Sequence, residues 1–279
     1  MKIVFLKSNI LKRGGLEKYT LRLAAGFALR GHDVTILTTD YPQGTLANVG
    51  FAIESVGNST SFSLLQLMRF DAACRRYVAE HKPDVVFGME RNFCPQTHYR
   101  AGNGCHKAYL DRRKKTDSWL KVASFAINPL HRLILDMERT TYESHNLRRL
   151  FVNSHMVQHE ICSYYPKVDP STISVVHNGV EWHELQKSFD EGLRMRPKII
   201  HTLGMNPNTH QFLFVGNEYG RKGLGLLLEA LPLLPKKSFE LTVIGRERNA
   251  SLFRDKARRL GIEEHVKFVG AVSEMKPYY

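Results

Sequence analysis

Short apolar runs recur along this chain, and polar turns carrying glycine separate them. The first run covers residues 3–6. A polar loop follows and ends in Gly14 and Gly15, after which Leu16, Tyr19, Leu23, Ala24 and Phe27 recur at helical spacing. Gly31 closes that helix, and a second apolar run covers 34–38. Strand, loop, helix and strand in this order predict a βαβ unit with a parallel sheet. Residues 51–53 add a short strand. Residues 62–80 read as a helix with Leu64, Leu65, Met68 and Ala72 on one face, and 85–88 as a buried strand after Lys82-Pro83.

The rhythm then changes. Residues 99–106 are polar and rich in glycine, and they lead into Arg112, Arg113, Lys114 and Lys115. An apolar cluster with Trp119, Leu120, Val122 and Phe125 comes next. Two readings of 112–127 stay open: an interfacial anchor on an anionic membrane surface, or a solvated loop followed by a core helix. Leu130, Leu133, Ile134, Met137 and Tyr142 form a helical stripe, expected to face the core. Strands follow at 150–152 and 173–176, with Asn153-Ser154 as a helix cap between them.

Residues 181–210 lack periodicity and carry prolines, so they read as a connection with a short lead-in. After it the α/β pattern restarts. Strands are expected at 212–215, 239–244 and 266–269, with helices at 223–234, ended by Pro235, and at 250–260, capped by Gly261. The fold class is therefore α/β, with two Rossmann-like domains facing across a cleft and the second incomplete. The boundaries are 1–185, a linker at 186–210, and 211–279. Paired halves of this kind bind ligands outside the carboxyl ends of their strands.

Charge narrows the partners. Forty Lys and Arg against 27 Asp and Glu give +13, which favours an anionic ligand or surface. The bases are spread through the chain and no nucleic-acid motif appears, so a nucleic-acid partner is not expected. Four cysteines at irregular spacing, with no C-x-x-C pair, fit a reducing compartment without structural zinc. No apolar run has the length of a membrane span or a signal peptide, so the expectation is a cytoplasmic protein, peripheral at most on the inner membrane face.

The most suggestive chemistry lies between the strand at 212–215 and the helix after it. Gly216, Gly220 and Gly223 allow close backbone approach, and a helix start offers free N–H groups. Arg221 and Lys222 add two full charges there. Arg can fork onto phosphate oxygens while Lys acts as a point charge, so the segment reads as a diphosphate clamp. A surface turn with two solvated bases is the bland alternative.

Several segments in order resemble a known family. Gly14-Gly15 after the first strand, Arg30-Gly31-His32-Asp33-Val34, Asn153-Ser154, His177-Asn178-Gly179-Val180 and Gly220-Arg221-Lys222-Gly223 are together similar to family-4 glycosyltransferases of GT-B fold. Tyr99-Arg100-Ala101-Gly102 and the basic amphipathic stretch after it resemble the lipopolysaccharide core glucosyltransferase I branch. The resemblance implies a retaining, metal-independent transfer of a hexose, glucose first of all, from a UDP-sugar to a glycolipid acceptor. It implies donor contacts from Arg221, Lys222, Gly14 and Gly216, and acceptor contacts from Asn103 and Arg100. Gly15 and His106 fall where the family lines the reaction centre; Arg112, Arg113, Lys114, Lys115 and Trp119 are the membrane contacts of the interfacial reading of 112–127 given above. The resemblance also implies a paired-glutamate motif in the second half. Glu274 has no downstream partner in this sequence, so a C-terminally truncated chain with impaired transfer is expected.

Other classes were weighed against this. A nucleotide-dependent oxidoreductase or epimerase would want G-x-G-x-x-G after the first strand and an acid after the second. The glycine pattern is missing, and Asp40 is the only acid near that position.

Overall fold

The computed structural model describes residues 1–11, 14–40, 50–57, 63–180, 182–234, 238–272, 275 and 278–279. Its contacts divide the chain into two compact units, 1–178 and 179–279.

In the first unit a seven-stranded parallel sheet is ordered β3-β2-β1-β4-β5-β6-β7. Its strands are β1 (Lys2–Leu6), β2 (Asp33–Thr38), β3 (Ala52–Ser55), β4 (Val85–Gly88), β5 (His98–Arg100), β6 (Arg149–Val152) and β7 (Ile173–Val175). β1 is an interior strand, paired with β2 from Lys2↔Asp33 and with β4 from Ile3↔Val85. Both faces are covered, so β1 reads as a continuous apolar run. Ile3 and Phe5 pack under α1 (Gly15–Ala28), while Val4 and Leu6 pack with Phe70 and Cys74 of α2 (Ser63–His81). Tyr99, Leu150 and Ile173 build a further core with Val157 and Ile161 of α6 (His155–Tyr164).

Three consecutive helices, α3 (His106–Thr116), α4 (Trp119–Ile127) and α5 (Pro129–Tyr142), separate β5 from β6. Asn128 caps α5, accepting from the Leu130 N–H at 2.9 Å, so Pro129 begins a helix there. The expected core stripe is buried at Met137 and Tyr142, where α5 meets the sheet. No residue of α4 is buried, and Trp119, Leu120 and Ile127 are exposed.

The second unit holds a parallel sheet ordered β10-β9-β8: β8 (His210–Val215), β9 (Phe239–Ile244) and β10 (Val266–Gly270). Phe239, Leu241 and Val243 pack against Leu224 and Leu228 of α8 (Leu224–Ala230) and Ala257 of α9 (Ala250–Arg259). The expected linker is corrected here. Most of 186–210 belongs to α7 (Trp182–Thr202), a helix of the second unit, and the boundary falls at 178/179. Phe189, Leu193 and Ile200 of α7 line a cavity of about 380 Å³ together with Leu213 and Thr242 of the sheet. This face of α7 is interrupted by charge and by Pro197 inside the helix, which hides the periodicity. Pro235, the expected helix stop, and Glu274 lie outside the described residues.

Candidate functional site

Every strand pairing in both units is parallel, so the loops after the strands gather at one edge of each sheet. In the first unit β1 delivers Lys7, which is 4% exposed. Its ammonium lies 3.2 Å from Glu17 of α1 and 3.2 Å from Glu90 in the loop after β4. Glu90 also accepts from the Ser8 N–H at 2.5 Å. A buried ammonium needs such partners, because burial without them would cost several kcal/mol. Asp40 accepts from the N–H groups of Ile10 and Leu11 at 2.8 and 3.1 Å and from the Thr38 hydroxyl at 2.8 Å. With both oxygens holding the loop after β1, Asp40 is engaged as a structural acid, which removes the ribose contact that a dinucleotide site would need.

Gly14 and Gly15 open α1 beside this cluster. Across the sheet, Arg100 ends β5. It donates to Asn178 Oδ1 at 2.7 Å, and its guanidinium sits 4.2 Å over the Tyr19 ring of α1. Asn153 donates to the Gly102 carbonyl at 3.2 Å, and a ring N–H of His177 meets the Asn153 carbonyl at 3.1 Å. The edge thus brings together Arg100, Tyr19, Asn153, His177 and Asn178. Asn103 lies on the exposed turn beside Gly102.

His106 is placed differently from the other candidates. As the first residue of α3 it is 8% exposed, and its backbone N–H meets both oxygens of Glu138 at 3.0 Å. Its ring Nε2 is 3.1 Å from His131 Nδ1. Burial, then the charges of Arg91 and His131, lower its pKa from 6.5 to about 4. The ring is therefore neutral at neutral pH. Glu138, buried on α5, also pairs with Arg91 at 2.8 Å and accepts from the Tyr165 hydroxyl at 2.8 Å. One carboxylate ties together α3, α5, the loop after β4 and the end of α6.

The basic run is largely paired. Arg112 bonds Glu160, Arg113 pairs with Asp117 at 2.5 Å and stacks on Tyr109, and Lys114 meets Asp111 at 2.7 Å. Lys115 is exposed beside them, and Trp119 is 77% exposed. Among the described residues, no helix is long and apolar enough to cross a membrane, and no three His, Cys, Asp or Glu side chains gather as a metal centre.

In the second unit the loop between β8 and α8 is held by backbone and side-chain bonds together, the Tyr219 N–H meeting Glu247 at 2.8 Å and the Arg246 N–H meeting Asn217 Oδ1 at 2.7 Å. The Gly216 N–H bonds the Ile244 carbonyl at 2.9 Å, and that of Glu218 the Arg246 carbonyl at 3.1 Å. The Tyr219 hydroxyl donates to the Gly245 carbonyl at 3.0 Å. Glu218 takes a φ of 58°, and Gly223, at 85°, enters α8. Arg221 and Lys222 lie between them and are exposed. Arg221 pairs with Glu218, whose side chain is 68% exposed. A surface pair of this kind contributes little, so an anionic ligand can replace it.

Lys7, Glu17, Glu90, Tyr19 and Glu138 are the residues that sequence reasoning passed over as parts of the site. Tyr19 stands out in the sequence as part of a helical stripe, and His177-Asn178 as part of the family resemblance.

Two family models match the chain: Glycosyltransferase Family 4 over residues 13–183, and Glycosyl transferases group 1 over 209–279. An uncharacterised glycosyltransferase of Methanocaldococcus jannaschii is 22% identical over 276 residues, covering 93% of this chain and 66% of its own. The lipopolysaccharide glucosyltransferase WaaG of Escherichia coli is 23% identical over 272 residues, covering 96% of this chain and 69% of its own. The chain thus spans about two thirds of the length of these relatives. The crystal structure of WaaG, a glycosyltransferase involved in lipopolysaccharide biosynthesis, superposes with a TM-score of 0.73 at 21% identity. That match covers 99% of this chain and 71% of the other, and it agrees with the GT-B architecture expected. Two parallel sheets with loops gathered at their carboxyl edges, and a family model over more than half the residues, lead to one assignment: the chain belongs to glycosyltransferase family 4.

Proposed function

We propose that this chain carries the machinery of a retaining, metal-independent transferase that moves glucose from UDP-glucose to a lipopolysaccharide core or similar glycolipid. The observation that carries the reading is the exposed Arg221-Lys222 pair on a hydrogen-bonded turn after β8. When the bond from the sugar's anomeric carbon to the diphosphate breaks, its electron pair leaves on UDP. The acceptor hydroxyl forms the new glycosidic bond and releases its proton. Cations fixed where the negative charge develops lower the barrier most, and in this reading Arg221 and Lys222 fill that place. Arg100 and Asn103 serve the acceptor side, and the Gly14-Gly15 turn leaves room beside the reacting sugar. The likeness to a lipopolysaccharide glucosyltransferase supports the choice of sugar and acceptor.

The exposed apolar residues of α4 and the bases of α3 fit a peripheral dock on an anionic membrane surface. Trp119, Leu120 and Ile127 supply the apolar contact. Because Arg112, Arg113 and Lys114 already hold carboxylates, their attraction falls below the roughly 1 kcal/mol that each free base contributes near such a surface. Co-sedimentation with phosphatidylglycerol vesicles should be lost on Trp119→Ser with Leu120→Ser. Binding that survives both changes rejects the dock.

UDP titration tests the donor site. Arg221→Ala should weaken UDP binding by about 1.5–3 kcal/mol, the range for a hydrogen bond to a charged group. Unchanged affinity in the Arg221→Ala/Lys222→Ala variant rejects it.

A further inference from the structure

We infer that Lys7 and Glu90 are positioning residues that act on the Gly14-Gly15 turn through Glu17. This rests on the transferase reading above.

Gly14 is not required by its backbone. Its φ of −125° and ψ of 165° are extended values open to any residue. What excludes a side chain is Glu17: a methyl group at Gly14 would lie 2.1 Å from Glu17 Oε2. Such a clash is cheap when the obstructing atom ends a flexible side chain. Here that end is anchored, because the Lys7 ammonium holds Glu17 at 3.2 Å and is itself 4% exposed. Glu90 completes the arrangement by neutralising Lys7 from the far side and accepting the Ser8 N–H. The carboxylate of Glu17 is thereby folded back across Gly14, onto the turn that opens α1.

Gly15 presents the opposite case. A methyl group there would meet nothing within 4 Å among the described residues, and its φ lies outside the left-handed region. Among the described residues nothing requires glycine at 15. A requirement for glycine there would come from something outside the protein that occupies the open space. The adjacent glycines thus have different causes. Gly14 is glycine so that Glu17 can cross it, and Gly15 borders open space at the start of α1.

A double-mutant cycle separates this from ordinary packing. Gly14→Ala should lower the melting temperature by about 3 °C, and in a Glu17→Ala background the same change should cost almost nothing. In a transfer assay with UDP-glucose and a glycolipid acceptor, Glu17→Gln should lower kcat about tenfold or more while the donor KM holds, since misplaced groups cost rate before binding. Glu17→Asp should recover part of the loss, and Lys7→Met should reproduce the loss of Glu17→Gln. Additive penalties in the cycle, or a kcat untouched by Glu17→Gln at normal turnover of the unaltered chain, would overturn the positioning role alone. No turnover by the unaltered chain would remove the transferase reading and this role with it.

Discussion

The two carboxyl edges differ in what lies closest to their glycines. In the first unit charged side chains lie across glycines: Glu17 over Gly14, and Arg100 over Gly102, where a methyl group would fall 1.9 Å from a guanidinium nitrogen. In the second unit the tightest approach is backbone against backbone, although the stem of Lys222 also lies against Gly216. A methyl group at Gly245 would sit 2.0 Å from the Gly216 carbonyl oxygen, and the charges of Arg221 and Lys222 are left outside. The first edge engages its charged groups with internal partners, Lys7 with Glu17 and Glu90, and Arg100 with Asn178 and Tyr19. The second keeps its cations exposed, with Arg221 on the surface carboxylate of Glu218 that an anion can replace. A sugar ring asks for shape and hydroxyl partners, while a diphosphate asks for uncommitted positive charge. The difference matches the division of labour proposed here.

The largest test of this contrast removes the charge hub of the first unit. Glu138→Gln should destabilise that unit by about 3–5 kcal/mol, the cost of leaving a buried cation without its partner. Hydrogen exchange should show lost protection in β5 and α3, with β8 to β10 unchanged. Equal loss in both units would break the contrast.

Acid should act next. His106 titrates near 4 when folded and near 6.5 when unfolded. Between those values the unfolded chain binds a proton that the folded chain refuses, so stability is full above pH 6.5 and falls as pH drops toward 4. The loss should reach about 3 kcal/mol. Denaturant midpoints across that range would measure it, and His106→Gln should flatten the curve.

Gly245→Ala should cost the second unit about 1–3 kcal/mol, since its φ of 138° suits only glycine. Exchange protection should fall in β9 and β10 and hold in β1. Smallest of all, Gly15→Ala should change stability by no more than about 0.5 kcal/mol. A large loss in thermal melts would mean that the protein, and not a ligand, needs that glycine.

Much of this architecture was legible in advance. Residues 239–244 form a strand at the expected limits, because a short apolar run bounded by turn residues has few other uses. β5 was hidden by its length of three residues, and α3 by a surface so charged that no apolar face stands out. The first edge was illegible for a different reason. Lys7, Glu17 and Glu90 are scattered in sequence, as are Arg91, His106, Glu138 and Tyr165. Nothing local marks a lysine that will be buried, whereas Arg221 and Lys222 stand beside the glycines that position them.

The interior place of β1 has a consequence for how the chain comes to be folded. Its neighbour β4, the central strand of the sheet, is distant: the bond from Lys2 to Asp84 spans 82 residues. In the second unit Arg246 reaches Asn217 across only 29. At synthesis rates of about 5–20 residues per second, β1 waits on the order of ten seconds for the strand that completes its ladder. Throughout that delay the nascent chain shows Ile3, Val4, Phe5 and Leu6 as an open apolar edge, the form that chaperones hold and that stray strands join. The second sheet closes within a much shorter length of chain. Ribosome-bound intermediates stalled before residue 85 should therefore be sticky, and those extended past β4 should not.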